Sequence, residues 1–314
     1  MTAQYIALGK KLLNEGQWVY NKRTNSRCLT LIDETLSFDV GKGEFPLVTT
    51  RKAYFRQAIG EMLGYIRGYT STEQFHTLGV HTWDENAKNP VWTESPIGKE
   101  FIEEGHDLGL IYGGVDRLVE TGWGIQFDQD GEIEGIRNKS ALCYIYDSFT
   151  DFIVLHNKLR EGIDDRGLIW SFWRPEFFKF GCLRPCVYEH QFSLVNDTLH
   201  LSSTARSQDY PLGTVFNLVQ VYFLLWLMAE LTGHKPGIAK LRLVNIHLYE
   251  NQLEQFKAQM ERDPFPHPKL VCNKPLTLRN VLGTHDEIED NLHPNDFDVE
   301  GYQYHPAIKY PFTV

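Results

Sequence analysis

The feature that most constrains the fold is a long apolar segment between Val215 and Leu231, interrupted by Asn217 and Gln220. A membrane-spanning helix needs about 20 predominantly apolar residues, so this segment is barely long enough to span. We therefore interpret it as a buried helix from about Val215 to Thr232, with Gly233 as its stop signal. The rest of the chain must supply apolar elements that surround this helix.

The composition shows that the chain can do so. It has 314 residues, of which 42% are hydrophobic and 13% aromatic, and this excludes disordered and fibrous classes. Repeats, low-complexity tracts and obvious linkers are absent from the sequence, which favours a single domain over 1–314. Between about residues 86 and 162 the hydrophobic pattern weakens, and we expect an irregular lobe or insertion there.

Periodicity predicts both helices and strands. Helical spacing covers residues 4–15 and 52–67, and a further helix is expected from His247 to about Arg262. Alternating or β-prone runs predict two paired strands within Arg27–Val40 and further strands in residues 168–173, 188–195, 198–206 and 240–244. The expected fold class is α+β, with a mixed central β-sheet packed by helices.

Charge and cysteine usage restrict location and partners. The formal net charge of -10 argues against non-specific nucleic-acid binding. The N-terminus has an amphipathic pattern and lacks the h-region of a signal peptide, so we expect a cytoplasmic protein outside the membrane. The cysteines are odd in number and lack zinc-ligand spacing, which predicts free thiols and no metal; they are Cys28, Cys143, Cys182, Cys186 and Cys272.

Cys186 is the candidate nucleophile. It follows Pro185, which restricts the backbone, and precedes an alternating strand. This position suits a thiol presented to a substrate, although a buried structural thiol is the commoner role of a cysteine.

Two arginines suggest a phosphate site. Arg166 precedes one predicted strand, and Arg206 ends another with Ser207 beside it. The guanidinium group matches phosphate oxygens and lowers the pKa of a nearby thiol. The alternative is that both arginines pair with neighbouring aspartates at the surface.

Several segments together resemble the thymidylate synthase family. They are LRPCVYEHQF (183–192), ARSQDYPLGTVFN (205–217) and IHLY (246–249), with KRTNSR, GEFPLVTT, GVHTWDEN, DLGLIYG and the terminal VEGYQYHPAIKYPFTV in support. The resemblance implies that family's fold, with its sheet forming a homodimer interface. It also implies a transferase that carries a one-carbon unit from 5,10-methylenetetrahydrofolate to carbon 5 of dUMP, without a metal.

The resemblance assigns nucleotide-binding roles. Cys186 would add to carbon 6 of dUMP. The phosphate would be held by Arg23, Arg206, Ser207 and, across the dimer interface, Arg166. Asn217 would read the uracil ring, and His247 and Tyr249 would contact the deoxyribose hydroxyl.

The resemblance also assigns the remaining catalytic and folate-binding roles. Glu61 would organise water and proton transfer, and Tyr112 would help remove the proton from carbon 5. Asp209 would contact the pterin and belongs with Asn217 to the catalytic set. The folate would pack against Trp83 and Leu183, with Gly213 and the terminal Val314 completing its site as the tail closes.

Four departures from the family pattern leave the product open. They are Gly167 where a second arginine is expected, YGGVDRL after Ile111, Val244–Asn245 before the histidine motif, and Arg174. The main expectation is a thymidylate synthase that makes dTMP and dihydrofolate. The alternative is a dUMP 5-hydroxymethylase of the phage type, which would act in a host cytoplasm. A more remote alternative is a non-catalytic nucleotide- or RNA-binding protein on the same scaffold.

Overall fold

The computed structural model describes residues 1–117, 123–127, 133–138, 151–284 and 287–312, with side chains described through Val115 and again from Asp151. Cys143 and Val314 lie outside the described residues. The helices are α1 (Thr2–Glu15), α2 (Phe55–Ile66), α3 (Thr72–His76), α4 (Asp84–Ala87), α5 (Pro90–Thr93), α6 (Pro96–Glu103), α7 (Gly114–Arg117), α8 (Asp151–Arg160), α9 (Gly213–Thr232), α10 (Leu253–Met260) and α11 (Leu278–Leu282). The strands are β1 (Gln17–Asn21), β2 (Ser26–Asp39), β3 (Trp123–Phe127), β4 (Ile133–Asn138), β5 (Ile169–Ser171), β6 (Val187–Val195), β7 (Thr198–Ala205), β8 (Gln208–Asp209), β9 (Lys235–Tyr249), β10 (Lys269–Cys272) and β11 (Phe297–Glu300).

A mixed central sheet organises the fold. Its strand order is β1-β2-β9-β7-β6-β5, and β8 pairs with the end of β9. Strand β9 runs antiparallel to β2 but parallel to β7 and β8. The predicted α+β class, with a mixed sheet packed by helices, is confirmed.

The central helix α9 is the apolar segment identified in the sequence. Its length and apolar composition would allow a membrane span, but 72% of its most apolar 18 residues are buried inside the fold. It packs against α2 and against strands β7 and β9. The helix ends where Gly233 adopts the left-handed conformation, with φ of 78°. The predicted core helix and its stop signal are confirmed.

The helix predicted from His247 is wrong at its start. Strand β9 continues through His247 to Tyr249, a short 3-10 turn covers Glu250–Gln252, and α10 begins at Leu253. Residues to Tyr249 remain in the sheet because β2 and β8 pair with them on either side. Sheet pairing therefore overrides the helical pattern of the segment.

The two paired strands predicted within Arg27–Val40 are also wrong. This segment is the single strand β2, and its hairpin partner is the upstream β1. Asp33 in the middle of β2 has φ of 61° and forms an ion pair with Arg242 of β9. The residue resembles a turn signal in the sequence, but the strand continues through it.

The weakly patterned segment contains short helices, the hairpin β3–β4 and helix α8. Four of its apolar side chains form a small cluster with Phe180 beside the main core: Trp92, Phe101, Leu110 and Val115. Gly109 and Gly181 bridge the backbones of this region, which brings the segment before Tyr112 next to the loop that carries Cys186.

Candidate active site

Cys186 is held through its backbone by two of the predicted site residues. It lies immediately before β6, and its carbonyl accepts a hydrogen bond from the backbone N–H of Arg206 at 2.9 Å. Its own N–H donates to the hydroxyl of Tyr112 at 3.0 Å. The buried Pro185 precedes it. The thiol therefore projects from a backbone fixed on both sides.

Tyr112 is itself fixed by unusual backbone geometry and ring packing. Its φ of 43° is uncommon for a residue other than glycine. Its ring stacks on Tyr65 with centroids 4.1 Å apart, and it makes an edge-to-face contact with Trp83 with centroids 5.9 Å apart. Burial, together with the nearby Cys186, raises the pKa of Tyr112 well above its ordinary value. The hydroxyl therefore stays protonated and can still donate a hydrogen bond while it accepts one from Cys186.

The thiol of Cys186 experiences opposing effects. Burial raises its pKa, whereas the positive charges of Arg206 and then Arg23 lower it. Arg206 is oriented by hydrogen bonds from Nε to the carbonyl of Pro185 at 2.8 Å and from Nη2 to that of Arg184 at 3.2 Å. A thiolate in this position is stabilised chiefly by Arg206.

A pocket of about 670 Å³ lies beside these residues. Five of the predicted nucleotide-binding residues line it: Arg23, Arg206, Ser207, His247 and Tyr249. Arg23 is exposed on the turn between β1 and β2, where its N–H donates to Asn21 Oδ1 at 2.9 Å. The remaining walls come from α1, β1, β2 and Asn245. One chain thus supplies two arginines and a serine that can bind a phosphate group.

Arg166 stands apart from this pocket. It is exposed in a left-handed turn with φ of 61°, and its N–H donates to Asp164 Oδ1 at 2.8 Å. It precedes β5, the edge strand of the central sheet. Within one chain, the structure does not bring Arg166 together with Arg23 and Arg206.

His247 and Tyr249 reach the pocket because they are two residues apart on β9 and so project from the same face of the sheet. Burial lowers the pKa of His247 to about 4, so the ring is neutral at pH 7. Its Nδ1 lies 3.3 Å from Asn245 Oδ1. A neutral imidazole and a phenol are suited to hydrogen bonding with a sugar hydroxyl.

Glu61 is a buried carboxylate on α2. Its Oε1 accepts from the Thr82 hydroxyl at 2.7 Å, and its Oε2 accepts from Gln220 Nε2 at 2.5 Å. Burial raises its pKa, while the Thr82 and Gln220 hydrogen bonds oppose that increase. A carboxyl group whose pKa is raised by burial holds a proton more readily than an exposed one, which suits a residue that takes part in proton transfer.

Asn217 on α9 lies between two glutamines that the sequence did not identify as site residues. Its Nδ2 donates to Gln220 Oε1 at 2.7 Å, and its Oδ1 accepts from Gln208 Nε2 at 2.8 Å. Gln220 and Gln208 are almost completely buried, at 3% and 2% exposed. The signal available in the sequence was Gln220, a polar residue inside an otherwise apolar helix.

Asp209 links the end of β8 to the C-terminal segment. Its carboxylate accepts from Leu212 N at 3.2 Å and from Gln252 Nε2 at 3.0 Å. The same Gln252 amide group donates to the Pro311 carbonyl at 3.0 Å. Burial is the main reason that the pKa of Asp209 rises to about 6. A ligand with N–H donors, such as a pterin, would complement this carboxylate in its ionised form.

The other predicted folate-site residues differ in their surroundings. Trp83 is 4% exposed and packs among aromatic rings, while Leu183 is half-buried against the main core. Gly213 is the first residue of α9, and a Cβ there would lie 2.7 Å from Gln208 Nε2. A side chain at Gly213 would therefore displace the amide that contacts Asn217.

The sequence profile of the thymidylate synthase family matches residues 3–314. The chain belongs to this family. It is 47% identical over 314 residues to the thymidylate synthase of Shewanella frigidimarina, and 45% identical over 313 residues to that of Marinomonas sp.. The thymidylate synthase of Tolumonas auensis is 43% identical over 313 residues, and each comparison covers 99% of both chains.

Membership of the thymidylate synthase family confirms the resemblance seen in the sequence. The chain is accordingly a transferase of the methyltransferase type, with 5,10-methylenetetrahydrofolate as co-substrate and no required metal. The family profile matches the chain although some residues, among them Gly167 and Arg174, differ from the family pattern.

Outside the candidate active site, a small surface cluster contains side chains of the types that bind metal ions. The ligand atoms of His76, His81 and Asp84 all lie within 4.8 Å of one another. The cluster is open to solvent. His76 Nε2 lies 2.7 Å from Asp84 Oδ1, so a hydrogen bond between these two side chains explains why they lie close together. It is separate from the family's chemistry, which proceeds without a metal.

Proposed function

We propose that this protein is a thymidylate synthase that converts dUMP to dTMP, with 5,10-methylenetetrahydrofolate converted to dihydrofolate, through a covalent adduct on Cys186. One observation carries the proposal. The Cys186 backbone is held between Tyr112 and Arg206, and Arg206 also lines the pocket that contains the other candidate nucleotide ligands.

The nucleotide is held from its phosphate to its ring. Arg23, Arg206 and Ser207 bind the phosphate, with Arg166 added from a second copy of the chain. His247 and Tyr249 bind the deoxyribose hydroxyl from their common face of β9. Asn217 accepts from uracil N3–H and donates to O4, which selects dUMP.

Cys186 begins the reaction as a thiolate. Its sulfur forms a bond to carbon 6, and the electron pair of the carbon 5–carbon 6 double bond moves toward carbon 5 and O4. Asn217, which Gln220 connects to the buried Glu61, stabilises the charge on O4. Carbon 5 can then attack the one-carbon unit of the folate.

Tyr112 and Glu61 act on protons in the following steps. Tyr112 helps to remove the proton from carbon 5, and Glu61 organises the water that carries it away. Attack by carbon 5 breaks the bond between the methylene carbon and folate N10, and loss of the carbon 5 proton breaks the bond between that carbon and N5. The released tetrahydrofolate then gives a hydride to the methylene carbon and becomes dihydrofolate. The sulfur–carbon 6 bond breaks as the double bond re-forms, which returns the thiolate of Cys186.

The folate-side residues bind and enclose the co-substrate. Asp209 binds the pterin nitrogens, Trp83 and Leu183 pack against its ring, and Gly213 leaves room at the start of α9. The C-terminal tail, ending at Val314, closes over the site and excludes water. Gln252 supports this role because one amide contacts both Asp209 and the Pro311 carbonyl.

Mass analysis of the nucleotide product tests the proposal. Incubation with dUMP and methylenetetrahydrofolate should give dTMP together with dihydrofolate, whose formation is followed by absorbance. Hydroxymethyl-dUMP with tetrahydrofolate would instead establish the 5-hydroxymethylase, which the names of the relatives do not favour. Binding of both ligands without any covalent adduct would establish a non-catalytic protein.

We also propose a cytoplasmic homodimer of one domain per chain, 1–314, with the segment at about 86–162 as a lobe of that domain. The sheet carries exposed apolar side chains on four strands: Trp18, Tyr20, Ile32, Ile169 and Val195. Burial of such side chains between two copies would remove them from water. Light scattering at micromolar concentration should give twice the 36.4 kDa chain mass; a monomer would contradict the dimer.

A further inference from the structure

A continuous chain of side-chain hydrogen bonds runs from Glu61 to Gln208. Gln220 Nε2 donates to Glu61 Oε2, Asn217 Nδ2 donates to Gln220 Oε1, and Gln208 Nε2 donates to Asn217 Oδ1. The three distances are 2.5, 2.7 and 2.8 Å. Asn217 is the half-buried member of the chain, and the other three side chains are buried. The chain therefore connects the protein interior to the amide proposed to read the base.

The carboxyl oxygens of Glu61 give this chain a direction, because Oε1 accepts from Thr82 and Oε2 accepts from Gln220. A carboxylate only accepts, so Gln220 must turn its NH₂ group toward Glu61 and its carbonyl toward Asn217. Asn217 must then turn its NH₂ group toward Gln220 and its carbonyl toward Gln208. Reversing all three amides would place the Gln220 carbonyl against the Glu61 carboxylate, leaving two buried acceptors facing each other.

An asparagine without such an anchor cannot distinguish uracil from cytosine. Uracil presents an acceptor at O4 and a donor at N3, whereas cytosine presents a donor at N4 and an acceptor at N3. Rotating the asparagine amide by 180° exchanges its oxygen and nitrogen and converts the match for one base into the match for the other. Selection therefore depends on the neighbours that prevent this rotation.

We propose that Gln220 and Gln208 are positioning residues that fix the orientation of the Asn217 amide and thereby set the preference for uracil over cytosine. The proposal rests on the proposed function, in which Asn217 reads the ring. The two glutamines have opposite parts: Gln220 must offer an acceptor to Asn217, and Gln208 must offer a donor.

This difference allows two isosteric substitutions to serve as matched controls for each other. In Gln220→Glu the new carboxyl group still offers an acceptor to Asn217, and one proton shared with Glu61 relieves the repulsion between the two acids. In Gln208→Glu the ionised side chain can only accept, so it favours the rotated Asn217 amide. If the glutamines only stabilised the fold, the two substitutions would not be expected to have opposite effects on the orientation of the Asn217 amide.

The experiment measures the dissociation constants of dUMP and dCMP by calorimetry for the full-length protein and both variants between pH 6 and 9. In Gln220→Glu, the ratio of the dCMP dissociation constant to the dUMP dissociation constant should stay within about threefold of the wild-type ratio. Gln208→Glu should reduce that ratio by at least about tenfold relative to wild type at high pH, with tighter dCMP binding, and approach the wild-type ratio at low pH, where the carboxyl can donate.

Near-UV circular dichroism checks that each variant is folded, and Gln208→Met provides a second test if Gln208→Glu is not. Removing the donor without adding an acceptor should reduce the ratio by about threefold or more. The proposal is overturned if wild type discriminates and a folded Gln208 variant keeps the same ratio. Failure of the wild type to bind dUMP would instead contradict the proposed function.

Discussion

The backbone N–H of Cys186 donates a hydrogen bond to the hydroxyl of Tyr112 at 3.0 Å, across 74 residues of sequence. This contact makes the phenol part of the support of the candidate nucleophile. It also leaves the hydroxyl proton of Tyr112 available for another acceptor, such as a bound substrate or water.

Tyr112→Phe should impair the position of Cys186 without removing the ring stack on Tyr65. The Cys186 N–H would lose its acceptor, and an unpaired buried donor costs about 1–3 kcal/mol. We expect kcat to fall at least about tenfold with a lower midpoint of thermal unfolding. Tyr222→Phe is the control, because the Tyr222 hydroxyl has no hydrogen-bond partner within the described residues and its ring packs on Phe38 and Phe45. Equal losses in both variants would contradict a specific role for Tyr112.

Arg206→Ala should make the Cys186 thiol less reactive. Arg206 is the main charge that lowers the thiol pKa against the effect of burial, so its removal raises that pKa and reduces the thiolate fraction. Alkylation by iodoacetamide at pH 8 should be about tenfold slower, because a smaller fraction of the thiol is ionised. Arg206→Lys should lie between, because it keeps the charge but loses the planar set of donors.

Mass mapping of the alkylated cysteine separates Cys186 from the other thiols. Arg242→Ala is the matched control for charge removal, since Arg242 forms an exposed ion pair with Asp33. An unchanged alkylation rate in Arg206→Ala would show that Arg206 does not control the thiol.

Asp209→Asn should stabilise the protein more at pH 7 than at pH 4. Burial raises the folded-state pKa of Asp209 to about 6, above the unfolded value of about 3.9. Between these values the folded chain binds more protons than the unfolded chain, so the free energy of unfolding falls as pH rises. The difference should be on the order of 2 kcal/mol, measured by urea unfolding at both pH values. An identical effect of the substitution at both pH values would show that folding does not raise the pKa of Asp209.

His190→Gln should make the protein more resistant to acid. His190 is buried, its Nδ1 lies 2.7 Å from Ser203 Oγ, and burial lowers its pKa to about 3. Below pH 6.5 the histidine binds a proton in the unfolded chain but not in the folded chain. The free energy of unfolding therefore falls as pH falls from 6.5 toward 3. Replacement should move the midpoint of acid unfolding to lower pH, as followed by far-UV circular dichroism. An unchanged midpoint would contradict this assignment.

The sequence predicted features that depend on local pattern. The helix before Gly233 was recognisable because glycine adopts the left-handed conformation at no steric cost. The resemblance brought Arg23, Arg206, Ser207, His247 and Tyr249 into one set, and the structure places all five on one pocket. Pattern and motif thus identified side chains whose chemistry is visible from the residue type.

Features that depend on distant partners could not be predicted. His247 has helical neighbours in sequence, but pairing with β8 and β2 keeps it in a strand. The roles proposed for Gln208 and Gln220 depend on folding, which places Asn217 between them. Nothing in the local sequence of either glutamine indicates which group of its amide must face Asn217.

The pairing of β8 with the end of β9 limits how substitutions could change the ligands of this protein. Asp209 and His247 are directly paired on adjacent parallel strands, so the proposed folate-side and sugar-side contacts are neighbours across one backbone ladder. The separation of such strands, about 4.8 Å, is set by peptide hydrogen bonds and not by side chains. Point substitutions can therefore alter what each side binds but leave the gap between the two binding sides unchanged. Widening that gap for bulkier partners would require a residue inserted into a strand.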